Sequence, residues 1–165
     1  MNLQNKHNSE DYDQFIYCLE GVPDVDDNSI TDVVVSLEQL AIDHGIASIY
    51  KSCDTIEGLE ESLSNLLYDD HKFKDYVIIY FVMQGKRNSI CLNNYYYSFQ
   101  EIAELFEGKM KGKIVHFANA KKLDLDLEEA QYFLDITGAQ AISGYGVTKK
   151  NINSNELDKA FFSLC

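Results

Sequence analysis

Eight apolar or aromatic residues, Tyr76-Val77-Ile78-Ile79-Tyr80-Phe81-Val82-Met83, run without a charge and stop at Gln84-Gly85. A run of this length, rich in β-branched and aromatic side chains, predicts a strand buried on both faces. Such strands belong to parallel sheets covered by helices on each side. In those sheets functional groups gather beyond the carboxyl ends of the strands. Function is therefore expected just after Met83.

The rest of the chain alternates around this run. Short apolar stretches at 14–19, 46–51, 113–118 and 139–143 predict four more strands. Between them apolar residues recur at helical spacing. One helix runs from Ile30 to His44, capped by Ser29 or Thr31 and stopped by Gly45. Asp54-Thr55-Ile56-Glu57 has the spacing of a capping box, ahead of a helix through Leu59, Leu63, Leu66 and Leu67. Asn93-Asn94, flanked by Ser89–Leu92 and Tyr95–Tyr97, tolerates positive φ and predicts a hairpin. Ser98-Phe99-Gln100-Glu101 is a second capping box, opening a helix that ends near Gly108. Asp126 opens a helix stopped by Gly138, and Asn153 or Ser154 opens the last one. The expected fold is a three-layer αβα sandwich with a mostly parallel sheet and a small hairpin after the third strand. It occupies residues 14–165 as a single domain behind a polar, disordered lead-in at 1–13.

Composition narrows the functional classes. The net charge of −13 argues against nucleic-acid binding. Its distribution is uneven: residues 1–70 hold 16 acids and 2 bases, a net of −14, and residues 71–165 hold 11 acids and 12 bases, a net of +1. Cys18, Cys53, Cys91 and Cys165 stand singly, and the histidines are equally scattered. Neither zinc nor another cofactor is expected, and the thiols read as reduced and mostly buried. No run approaches the length of a membrane span, and the polar start lacks the apolar core of a signal peptide. The cytoplasm is the expected location.

Cys18-Leu19-Glu20-Gly21, the strand ending at Gln84-Gly85, the hairpin, Gly112-Lys-Ile-Val-His-Phe117 and Thr137-Gly-Ala-Gln-Ala-Ile-Ser-Gly-Tyr145 together resemble a small bacterial caspase-like family. The chain is similar to the wider clan of cysteine peptidases with the caspase–haemoglobinase fold, which includes the CHAT domains. The resemblance covers residues 14–165 and implies a histidine after the third strand and a cysteine in the turn after the fourth. In this chain the histidine position holds Gln84. The cysteine position, in the expected turn from Ala118 to Lys122, holds Ala120. An amide exchanges no proton near neutral pH, and a methyl group attacks no carbonyl. The resemblance thus implies the fold and opposes the activity: a pseudo-enzyme working by protein interaction or self-association.

Two rival expectations stand beside it. One is an unconventional cysteine hydrolase using Cys53, at the carboxyl end of the second strand, or a residue supplied by a partner. The other is a flavodoxin-like binder of a small anion or nucleotide. Lys86-Arg87, Lys121-Lys122 and Lys149-Lys150 follow the third, fourth and fifth strands, so a parallel sheet gathers them on one edge. The expected binding residues are Gln84, Gly85, Lys86, Arg87, Asn119, Lys121, Lys122, Lys149 and Lys150. Aromatic Tyr95-Tyr96-Tyr97 on the hairpin suits either a protein contact or packing against the domain.

Overall fold

A computed structural model describes residues 15–65, 76–86, 88–121, 127–144 and 161–163. The element order is β1 (Phe15–Gly21), α1 (Asp32–His44), β2 (Ala47–Cys53), α2 (Ile56–Ser64), β3 (Tyr76–Lys86), β4 (Ser89–Leu92), β5 (Tyr95–Ser98), α3 (Phe99–Leu105), β6 (Ile114–Lys121), α4 (Leu127–Thr137) and β7 (Ala141–Gly144). Five strands form one sheet in the order β2-β1-β3-β6-β7, with every pairing parallel; β4 and β5 make a separate antiparallel hairpin. The expected α/β architecture is the one observed, and the long apolar run is its central strand.

The alternation of β3 divides the core in two. Ile79, Phe81 and Met83 pack on one face with α2, α3, α4 and the hairpin. Ile78, Tyr80 and Val82 pack on the other with α1 and Phe162. Successive side chains of a strand point to opposite faces, so both layers are anchored by one unbroken apolar sequence. Aromatic rings fill the first layer: Phe81 stacks on Phe117 at 5.0 Å, and Phe99 meets Phe117 edge-on at 4.7 Å. Each such pair contributes about 0.5–1.5 kcal/mol beyond its buried area.

Local signals mostly fall where their chemistry requires. Thr31 caps α1 by accepting from the Val34 amide, and Gly45 closes it at φ 67°. Ser98 and Glu101 form both bonds of a capping box. Asn93 and Asn94 turn the hairpin with φ of 49° and 64°. Three expectations need correction. At 54–57 the cap is Thr55, which accepts from Gly58, because the helix starts one residue later than the Asp54–Glu57 spacing suggests. α3 ends at Leu105 and continues as turns before Gly108. The stretch Ala118–Lys121 is strand instead of turn: β3 runs on to Lys86, and its ladder carries β6 with it through Gly85↔Ala120 and Lys86↔Lys121. The lead-in, Leu66, Leu67, Arg87, Lys122, Asp126, Tyr145, Lys149, Lys150, the Asn153/Ser154 cap and Cys165 lie outside the described residues.

Candidate functional site at the carboxyl edge of the sheet

All five parallel strands end on one edge, and β3 brings its own irregularity to it. Val82 pairs with Ala118 and Gly85 with Ala120, so Met83 and Gln84 together oppose Asn119. That is a β-bulge, a device that ends regular pairing and re-aims side chains. Met83 stays 2% exposed in the core, whereas Gln84 emerges into solvent. Gly85 follows under a steric constraint. A Cβ there would collide with the carbonyl oxygen of Ser89, so the chain folds back into β4 only because this residue has no side chain.

The hairpin folds over the ends of β1 and β3. Leu92 and Ile90 are buried beside Met83, and a Cβ at Gly21 would lie 3.0 Å from Leu92 Cδ2. The same hairpin presents Tyr95 and Tyr96 at 67% and 52% exposure, while Tyr97 is half-buried. Packing against the domain therefore holds for Tyr97, while Tyr95 and Tyr96 project from it. At the turn, Asn88 Oδ1 is buried without a hydrogen-bond partner, while the Asn88 carbonyl accepts from the Phe99 amide.

On the β1 side the edge is acidic. Glu20 Oε2 accepts from the Tyr50 hydroxyl at 2.6 Å and from the Thr31 hydroxyl at 2.7 Å. Burial, then the bond to Glu20, pushes the Tyr50 phenol well above the ordinary tyrosine range. The loop after β1 carries Asp24, Asp26 and Asp27 into solvent, and Asp54 accepts from the Val25 amide. In sheets of this winding, with strand order reversing between β1 and β3, ligands sit beyond those two strands. Here that position is overlaid by the hairpin and flanked by carboxylates, which disfavours a phosphate. Lysines stand one strand further on, with Lys86 and Lys121 paired in register at the ends of β3 and β6.

No Cys–His pair forms among the described residues. Cys53 is 1% exposed, and burial, reinforced by Asp54, pushes its thiol up to about 12. A thiol held there is protonated at neutral pH and is a poor nucleophile. His116 lies three strands away, at about 14 Å by strand spacing, and on the opposite face of the sheet. Cys18 shares the face of His116, but Tyr80 stands between them in the register row. Cys91 is half-buried in the hairpin, so the expectation of a buried thiol fails there.

One polar pair was invisible in the sequence. Nδ1 of His116 lies 2.7 Å from Ser143 Oγ across the β6–β7 register, a nucleophile–base spacing. Yet His116 is 1% exposed, stacks on Phe161 at 4.4 Å and meets Phe162 edge-on, so these two rings close the approach a substrate would need. The pair ties β7 to the core. No cluster of three metal-ligating side chains occurs among the described residues. No helix among them is long and apolar enough to cross a membrane.

Fold and edge together define a doubly wound α/β domain whose central strand ends in a bulge, with Met83 beneath a hairpin and Gln84 facing solvent. Residues 13–165 match a family of unknown function (DUF6642), and the chain belongs to that family. No curated protein matches it.

Proposed function

We propose that this protein is a caspase-like domain without peptidase chemistry that works by binding another protein at the carboxyl edge of its sheet, in a bacterial cytoplasm. The supporting observation is the end of the β3–β6 ladder. Gln84 and Ala120, which stand where the resemblance requires histidine and cysteine, fall at the ends of adjacent strands, since Gln84 precedes the Gly85 that pairs with Ala120. A dyad needs such proximity, and these two residues can perform neither proton transfer nor attack. The exposed Gln84 amide and Tyr96 ring are suited to recognition.

The test has two arms. Purified protein is incubated with peptide libraries and thiol-directed probes; turnover would sink the proposal. In the second arm, alkylation rates against pH are compared for Ala120→Cys and for Ala120→Cys with Gln84→His. The resemblance predicts a lower thiol pKa in the double variant. Identical profiles would remove the caspase-like reading.

A second reading rests on the Lys86–Lys121 register pair: a small anion held at the end of β3 and β6. Calorimetric titration with phosphate and nucleotides tests it, and absence of heat with all of them rejects it.

A further inference from the structure

The outward face of α1 plays no part in the carboxyl-edge reading. α1 buries Val33, Leu37 and Leu40. Its other face ought to be polar. Instead Val35 is 53% exposed and Ile42 78%. Seven residues apart, they stand on one side of the helix, about 10 Å from each other along its axis. Ile30, immediately before the N-cap Thr31, is 77% exposed. Ile30 and Val35 occupy the two positions of a hydrophobic staple, which normally cover each other as the chain enters the helix. At these exposures the staple explains little of their presence. Single exposed apolar residues are ordinary. Three of the seven large exposed hydrophobics among the described residues, on one helix and its entry, form a strip.

Charge says what covers it. Asp32, Glu38 and Asp43 are exposed on the same helix, which carries no Lys or Arg. Residues 15–65 hold eleven acids against one lysine, a net of −10. Nucleic acid and anionic membrane are repelled by such a surface. A second copy seated through its own α1 would bring a like-charged face against it. We infer that the outward face of α1 docks an apolar segment of another protein whose flanks carry Lys or Arg. Ile30, Val35 and Ile42 supply the apolar contact, and Asp32, Glu38 and Asp43 select the flanking charge. This surface is separate from the carboxyl edge, so either can fail without the other.

The probe is a synthetic amphipathic peptide with leucines at helical spacing and lysines on both flanks. Matched peptides carry glutamate flanks, or serine in place of leucine. Fluorescence anisotropy measures binding to the full chain, and amide chemical shifts locate it. Only the lysine-flanked leucine peptide is expected to bind, with shifts centred on α1. Val35→Ser with Ile42→Ser should weaken it by about tenfold or more, a loss of about 1.4 kcal/mol. Both side chains are exposed, so the thermal midpoint should hold; Glu38→Lys with Asp43→Lys gives a second, charge-based weakening. Four results would each overturn the inference: no binding, equal binding of the serine peptide, shifts away from α1, or binding to lipid vesicles instead. So would a dimer of the native chain that the Val35/Ile42 variant abolishes, which assigns the face to a second copy.

Discussion

The hydroxyl of Tyr50, from edge strand β2, donates at 2.6 Å to the carboxylate of Glu20 at the end of β1. Thr31, the cap of α1, donates to the same oxygen, so one carboxylate joins two strands and a helix start. Tyr50→Phe removes one of these bonds and should cost about 1 kcal/mol, the low side for a charge-accepting bond in a half-exposed pair. Denaturant titration checks it. Because the folded phenol pKa is raised, the folded chain retains a proton that the unfolded chain releases above about pH 10, and stability falls as pH rises there. Below that pH the contribution is fully present. The alkaline decline should therefore be shallower in Tyr50→Phe than in the native chain.

Gly85→Ala places a methyl group against the backbone carbonyl of Ser89, which no rotamer change relieves. The hairpin must shift, at about 1–3 kcal/mol, which lowers the melting temperature by about 3 °C for each kcal/mol. Calorimetry measures the loss. Faster amide exchange at Ile90 and Leu92 should accompany it, and unchanged exchange there would mean that the hairpin tolerates the group.

Among the described cysteines, Cys91 should react first with iodoacetamide at neutral pH, and Cys18 and Cys53 only on unfolding. Cys53 adds a thiol pushed up to about 12 to its burial. Mass spectrometry after timed labelling reads the order. Rapid labelling of Cys53 would revive the hydrolase alternative.

Asn88 and Ser98 flank the same hairpin and should respond in opposite ways. Ser98→Ala breaks the capping box and should cost about 1 kcal/mol. Asn88→Ala removes a buried acceptor that has no partner, whose burial costs about 1–3 kcal/mol, so stability should hold or rise. Chemical denaturation of the two variants side by side settles both.

What the sequence disclosed depended on the range of the interaction. The central strand was legible because Tyr76–Met83 can satisfy its composition only in a covered sheet. Asn93-Asn94 and Ser98–Glu101 were legible because a turn and a cap are decided within four residues. Asn119 and Lys121 read as turn because their polarity breaks the apolar pattern, while the reason for their extension lies in a different strand. Bonds such as Glu20–Tyr50 and His116–Ser143 join residues 30 and 27 positions apart, which only parallel register brings together. The bulge at Met83–Gln84 is likewise a property of two strands.

The all-parallel sheet also sets a schedule for the chain. Ile16 finds its neighbour in Ile78, and Ile78 finds its other neighbour in Ile114. On a ribosome, β1 and β2 can pair across α1, but the other flank of β1 must wait for β3, the strand that fills the middle of the sheet. β4 and β5, closed by two asparagines, pair without any intervening helix. Contacts so distant in sequence make for slow folding. Until β3 emerges, one long flank of β1 lies open to any other strand within reach, and that interval is when this protein is most exposed to aggregation.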